Sequence, residues 1–290
     1  MGELVWDARC GVGESCVWDA ARRRVLFCDI PAGRIHALNV DDGARAWWDF
    51  PESVGSFGLC RSGRLIVALR HRVVLFDPED GAVVALTQPV DEPATNRFND
   101  GKVGPDGAFW VGSMDQWPYS QPTGHLYRVT GDGRIERRSS GYIISNGLAW
   151  SPDGRTMYHA DTLGPYVDAW DFDPATGGTG NRRRFLDLTV EQGYPDGAAM
   201  DEHGHYWSAG VTAGRLNRFT PDGVLAESVP FPVPTPTMPC FADGWLYGTS
   251  MRDGVSEDNL ADFPDTGGLF RLPVTVRGAP ISLFADGGFA

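Results

Sequence analysis

Four short polar segments stand out along the 290-residue chain: Gly13-Glu14-Ser15, Asn96-Arg97-Phe98-Asn99-Asp100-Gly101, Ser145-Asn146-Gly147 and Tyr194-Pro195-Asp196-Gly197. The last three lie at similar distances ahead of the apolar runs headed by Ala108, Arg155 and His205, so they are equivalent positions in successive repeats, and Glu14 holds the matching place in the first. Two carboxylates, Glu14 and Asp196, and two amide oxygens, Asn99 and Asn146, with no His or Cys among them, make a hard oxygen-donor set. Such a set suits one divalent cation whose shell is completed by water or substrate. Taken singly, Asn-Gly, Asp-Gly and Pro-Asp-Gly are ordinary turns; their shared place in the repeat is what points to a site.

Other chemistries are poorly supported. No Gly-x-Ser-x-Gly elbow occurs in a strand-to-helix context, so a serine nucleophile is not expected, and Ser145 reads as a turn hydroxyl. Lys102 is the sole lysine, and its Gly-rich surroundings read as a structural loop. Cys240 reads as a channel-lining residue, His159 as a hydrogen-bonded core residue, and His203-Gly204-His205 as a turn with one imidazole at the surface.

The elements that must bring the four segments together repeat. Arg24-Val25-Leu26-Phe27-Cys28, Arg64-Leu65-Ile66-Val67-Ala68, Ala108-Phe109-Trp110-Val111-Gly112, Arg155-Thr156-Met157-Tyr158-His159, His205-Tyr206-Trp207-Ser208-Ala209 and Trp245-Leu246-Tyr247-Gly248-Thr249 are six copies of one short strand. Gly63, Gly107, Gly154, Gly204 and Gly244, each in the turn ahead of a copy, recur 44, 47, 50 and 40 residues apart. That is a blade period. A second strand and a further turn follow each copy, as in His125-Leu126-Tyr127-Arg128-Val129 before Asp132-Gly133. The pattern predicts an all-β chain, one six-bladed β-propeller domain over residues 1–290, with four antiparallel strands per blade around a central channel. The polar segments would then precede the inner strands and converge at one channel mouth. A single helical turn is expected near Ser256 to Ala261, with Ser256 as N-cap.

Composition narrows the partners. With 25 basic and 38 acidic residues the net charge is −13, and the only basic runs, Arg22-Arg23-Arg24 and Arg182-Arg183-Arg184, read as solvated turns, so nucleic acid is not an expected partner. Neither a signal peptide nor an apolar stretch long enough for a membrane span is evident, so no membrane partner is expected. Five cysteines without a CxxC pair predict reduced, mostly buried thiols in a cytoplasmic protein. A monomer or weak homo-oligomer is expected.

The stretches Arg97-Phe98-Asn99-Asp100-Gly101-Lys102-Val103, Gly112-Ser113-Met114, Ser145-Asn146-Gly147-Leu148-Ala149-Trp150-Ser151 and Tyr194-Pro195-Asp196-Gly197 resemble the signature motifs of the regucalcin/gluconolactonase (senescence marker protein) family of sugar lactonases. The similarity runs from Gly13-Glu14-Ser15 to Gly267-Gly268-Leu269-Phe270. Tyr194 and the segment from Glu257 to Gly268 are similar in flavour to bacterial xylono- and arabinonolactonases. The resemblance implies a metal-dependent hydrolase that opens an aldono-1,4- or 1,5-lactone to the aldonic acid, in bacterial pentose or hexose oxidation. It implies metal ligands at Glu14, Asn146 and Asp196, sugar contacts at Arg97 and Asn99, and one divalent cation: calcium or zinc first, with manganese, magnesium or ferrous iron as alternatives. Asp196 is the expected general base. The family also places an acidic sugar contact shortly after a Gly-Thr-Met motif. Here Gly112-Ser113-Met114 is followed by Asp115-Gln116-Trp117; Trp117 falls in register, and Asp115 is the candidate substitute.

Two other readings remain at this level. One is a non-catalytic metal-binding or scaffold propeller, which would keep Trp-Asp-type punctuation in its blades and vary its rim. The other is a metal-dependent esterase or organophosphate hydrolase acting on a non-sugar substrate. The channel-facing irregularities oppose the first, and the hydrogen-bonding pair Arg97 and Asn99, suited to a polyol, opposes the second.

Overall fold

A computed structural model describes residues 2–287. Six four-stranded antiparallel sheets follow one another around a ring, confirming the six-bladed propeller. Blade 1 runs Gly13–Asp19, Arg24–Asp29, Arg34–Asn39 and Arg45–Asp49 from the channel outward, and blades 2 to 5 repeat that order. Blade 6 takes three strands from the C-terminal part, Pro236–Ala242, Trp245–Ser250 and Leu269–Pro273. Its outer strand is Glu3–Trp6 from the N-terminal end, with Leu4 opposite Phe270. That pairing closes the ring between the two ends of the chain and leaves no open seam in the sheet order.

The core sits in the wedges between blades rather than at the centre. Six apolar clusters each draw on two adjacent blades. Between blades 3 and 4, for example, Trp110, Leu126 and Tyr142 meet Leu148, Trp150 and Phe172. The aromatic content of the sequence is used here, where large flat side chains fill the widening gap. Blades 3 and 5 carry matching polar clamps. Asp106 accepts hydrogen bonds from Trp110 Nε1 at 3.2 Å and Arg128 Nε at 2.7 Å, and Asp201 accepts from Trp207 Nε1 at 3.1 Å and Arg218 Nε at 2.9 Å. Structural Trp-Asp punctuation is therefore present, so its absence cannot separate enzyme from scaffold; only the channel residues can.

One expectation about the channel is corrected. The polar segments do not precede the inner strands; they are the inner strands, Gly13–Asp19, Asn96–Val103, Ser145–Trp150 and Pro195–Met200. The strands headed by Ala108, Arg155 and His205 lie second from the channel. Buried among other strands on both faces, the innermost strand needs small and polar residues where ring contacts are tight, so it lacks the apolar alternation by which strands are recognised. For the same reason Lys102 lies in a strand, as does Ser145, which is fully buried. Arg182 and Arg184 are also in a strand, the outer one of blade 4, and both bond Asp168. The helix at Glu257–Asp262 is where the sequence placed it, with Ser256 Oγ accepting from Asn259 N at 3.3 Å. All five cysteines are free and buried.

Candidate active site

The four predicted oxygen donors come together at one mouth of the channel through a local backbone device. Five of the six inner strands shift register, four of them where a site residue sits, between Glu14 and Val17, Phe98 and Gly101, Asn146 and Ala149, and Pro195 and Ala198, and the fifth between Pro236 and Pro239. A bulge inserts a residue, bends the strand and re-aims side chains. Ser15, at φ 51, and Gly147, at φ 65, take the left-handed conformation these bends require. The inner strand of blade 2, Ser56–Leu59, keeps regular pairing and supplies no charged group.

From this placement polar contacts run from blade 3 to blade 4. Arg97 Nη1 donates to Asn99 Oδ1 at 2.7 Å, and Asn99 Nδ2 donates to Asn146 Oδ1 at 3.2 Å and to the Ser145 carbonyl at 3.0 Å. Asp196 lies close enough to Asn146 and Glu14 for both to act on its carboxyl. Glu14, Arg97, Asn99, Asn146 and Asp196 are all buried. Residues 14 and 196, far apart in sequence, thus share one point of the ring, as do Asn99 and Asn146.

The charge balance of the site is unfavourable as it stands. Burial pushes the Glu14 carboxyl well above its usual range, and the neighbouring charges of Asp196 and Asp100 push it further. Asp196 is pushed up to about 7 by burial and then by Asp100, against the lowering effect of Glu14 and Asn146. Two carboxyl groups this close in a desolvated site can be ionised together only if a cation joins them. Nearby, Asp100 leaves its Oδ1 without a partner. Among the described residues no three His, Cys, Asp or Glu side chains gather in metal-binding geometry. The donor set is therefore two carboxylates with amide oxygen, which fits a hard divalent cation and does not suit a soft one.

Several supporting residues escaped the sequence reading. Asp100 crosses from blade 3 to blade 4, where its Oδ2 accepts from Leu148 N at 2.9 Å and so fixes the backbone just after Asn146. Asn146 Nδ2 donates to Thr162 Oγ1 at 2.8 Å, which sets the orientation of the amide. Ser145 Oγ pairs with His159 Nε2 at 2.6 Å, so His159 is the predicted core histidine, with Ser145 as its partner. Gly112 makes room for that pair: a Cβ there would lie 1.7 Å from Ser145 Oγ. The Asn-Asp-Gly turn signature hid Asp100, although a carboxylate beside Asn99 was visible in the chain. Thr162 gave no signal, Ser145 was read as a turn hydroxyl and Gly112 only as part of a motif, because their roles depend on the neighbouring strand or blade.

Asp115, the expected substitute for the acidic sugar contact, is buried at 2% exposure. Its carboxylate accepts long hydrogen bonds from Trp117 N at 3.4 Å, Ser120 N at 3.3 Å and Gln121 N at 3.4 Å. Those contacts hold the loop that follows the second strand of blade 3. Trp117 itself is 73% exposed.

Farther along the same inner strands, Cys16, Lys102, Met238 and Cys240 line a cavity of about 300 Å³ at the other channel mouth. Burial lowers the Lys102 ammonium from its ordinary value, opposed first by Asp100, and Lys102 Nζ donates to the Ala198 carbonyl at 2.5 Å. Cys240 lines the channel as expected.

Comparisons with known proteins identify the family to which this fold belongs. Residues 12–252 match the family model described as the SMP-30/Gluconolactonase/LRE-like region. A 6-deoxy-6-sulfogluconolactonase from Pseudomonas putida is 37% identical over 278 residues, covering 94% of this chain and 95% of the relative. Regucalcin from Oryctolagus cuniculus is 34% identical over 287 residues, covering 96% of each chain. Among solved structures, a calcium-binding protein, regucalcin, from Agrobacterium tumefaciens superposes with a TM-score of 0.93 at 26% identity, covering 98% of this chain and 97% of that one. Sequence motifs, blade architecture and whole-chain similarity converge, and the chain belongs to the SMP-30/gluconolactonase/LRE-like family.

Proposed function

We propose that this protein is a metal-dependent lactonase that opens an aldonolactone to its aldonic acid. The observation that carries the reading is the meeting of the buried side chains of Glu14, Asn146 and Asp196 at one channel mouth, where the two carboxyl groups are pushed up by burial and by neighbouring carboxylates. The name of the Pseudomonas relative, a sulfogluconolactonase, supports a sugar lactone as substrate. Glu14, Asn146 and Asp196 would hold one divalent ion. Calcium is the first to test, since the Agrobacterium relative is described as calcium-binding; zinc, manganese, magnesium and ferrous iron follow.

A lactone is a cyclic ester, so opening it requires an attacking water and stabilisation of the oxyanion that forms at the carbonyl. A divalent cation supplies Lewis-acid polarisation and a lowered pKa for nearby water. Asp196 removes the proton from the attacking water as general base and returns it to the ring oxygen as the C–O bond breaks. Arg97 and Asn99 bind sugar hydroxyls, and the contact between their side chains holds both in place before the substrate arrives. Thr162 accepts from the Asn146 amide nitrogen and so helps to hold that side chain in place. The five free thiols support a cytoplasmic location, and a monomer or weak homo-oligomer is the proposed state.

The test is a panel of pentono- and hexonolactones assayed by acid release, before and after chelation and after each divalent ion is restored. Chelation should abolish opening, and one ion should restore it. Activity that survives both chelation and Asp196→Asn would refute the metal mechanism.

A further inference from the structure

The C-terminal segment crosses the channel at the mouth away from the oxygen donors. Ala279 N donates to the Met200 carbonyl at 2.8 Å, and Phe284 N donates to the Leu59 carbonyl at 2.8 Å. Met200 ends the inner strand of blade 5 and Leu59 that of blade 2, which stand on opposite sides of the ring. The segment therefore straps the opening, and Pro280, Ile281 and Ser282 help to enclose the cavity of about 300 Å³ that Lys102 lines.

This chamber is apolar apart from one cation and one rim carboxylate. Val17, Phe57, Val103, Met238 and Phe241 line it. The carboxylate, Asp153, is exposed in the turn after the inner strand of blade 4, where its Oδ1 accepts from Ser151 Oγ at 2.6 Å and from Arg155 N at 3.0 Å. Lys102 stands half-buried on the inner strand of blade 3. An ammonium group has three N–H donors, and the Ala198 carbonyl takes one of them. None of the described carboxylates forms an ion pair with it. Asp100 acts on it most strongly, but the Asp100 Oδ2 is held by Leu148 N. Burial works against the ammonium charge, and a charge in such surroundings is favoured by an anion in contact with it.

From this geometry we infer that the strapped chamber is a second ligand site, which takes a small monocarboxylate with a hydrocarbon body, its head group on Lys102 and its tail against Phe57, Phe241 and Ile281. Binding there requires neither lactone opening nor a metal ion. One ammonium matches one carboxylate through charge-assisted hydrogen bonds. A polyanion would meet a chain of net charge −13 with no second cation in the chamber. A small polar ligand would leave the apolar wall wet, whereas a hydrocarbon body removes it from water. The cavity is small for a ligand pocket, so that body is short.

The experiment is calorimetric titration of the full chain with hexanoate, hexanol, acetate and inorganic phosphate, with and without a chelator. Hexanoate should bind at one site, unaffected by the chelator, and at least about tenfold more tightly than the other three. Lys102→Met should weaken hexanoate by about tenfold to hundredfold, so that it no longer binds more tightly than hexanol. Ile281 is exposed, so Ile281→Ala keeps the fold, and it should weaken hexanoate by about twofold to fivefold. Because Lys102 is the sole lysine, carbon-13-labelled lysine gives one side-chain Cε signal, which hexanoate should shift more than hexanol does. Hexanoate that does not saturate, or that binds Lys102→Met equally well, would overturn the site. Binding lost with the chelator would also overturn it, by placing the carboxylate on a metal at the other mouth. Phosphate binding as tight as that of hexanoate would overturn the monocarboxylate class. None of these results touches the lactonase reading.

Discussion

The two mouths of the channel are built from the same six inner strands and have opposite chemistry. At one, Glu14, Asn99, Asn146 and Asp196 converge, each on a strand that breaks register at that point. Two or three residues farther along two of these strands, Cys16 and Lys102, with Cys240 from the inner strand of blade 6, line a mouth otherwise walled by residues such as Phe57, Ala149 and Phe241. The first mouth has partners arranged behind its side chains: Thr162 behind Asn146, Asp100 beneath Leu148, and His159 behind Ser145. At the second, the Lys102 ammonium meets a backbone carbonyl, and the Cys240 thiol makes one long contact, 3.7 Å from the Phe241 carbonyl. A ring of strands presents side chains at both ends, but side chains are aimed with precision only where bulges and supporting hydrogen bonds fix them.

The sharpest way to break this contrast is to exchange one residue at each end. Asp196→Asn should lower kcat for lactone opening by about 10³-fold, the scale of a lost general base, and more if the cation is lost too. Cys240→Ala should leave kcat within about twofold, since no reacting group is expected at that mouth. Steady-state assays of the two variants side by side decide the matter, and equal losses would refute the division of labour.

Smaller effects sharpen it. Asn99→Ala or Arg97→Ala should raise KM by about 10- to 100-fold with less change in kcat, as expected for removal of one or two charge-assisted hydrogen bonds to substrate. A loss confined to kcat would instead assign these residues to the chemical step. Gly112→Ala should cost about 1–3 kcal/mol in denaturant unfolding, because its new methyl would meet Ser145 Oγ. Activity should fall with it, since Ser145 adjoins Asn146.

His159 gives a pH test. Burial pulls its pKa down to about 3, so the folded protein resists a proton that the unfolded chain accepts near pH 6.5. The unfolded state then binds more protons between those values, and stability is lost as pH falls below about 6.5, by at most about 1.4 kcal/mol per pH unit. Relative to His159→Gln, the wild type should show this additional slope in thermal unfolding between pH 6.5 and 4. Cys240→Ala should have the smallest effect on stability, about 1 kcal/mol from lost apolar contact.

Much of this was legible in the chain. The six copies of one short strand established the blade count, the spacing of Gly63, Gly107, Gly154, Gly204 and Gly244 gave the period, and the shared repeat position of Glu14, Asn99, Asn146 and Asp196 was enough to group them. The strand order within a blade was misread by one place. Asn96–Val103, buried at nearly every position, carries polar groups and glycine where an isolated strand would alternate. Asp115 shows the same limit. Sequence register brought it near the sugar, but register cannot say whether a carboxylate faces solvent or its own loop.

Composition and periodicity determine that the chain forms blades and which residue types stand at equivalent positions, because both follow from local strand and turn preferences repeated at a fixed interval. Ring closure by Glu3–Trp6, the bulges that aim the donors, and the contacts of Asp100, Thr162 and Gly112 arise only when distant segments meet. Those features depend on which backbone groups and side chains become neighbours across blade boundaries. No local propensity encodes that, so tertiary structure alone decides how a set of oxygen donors becomes a site.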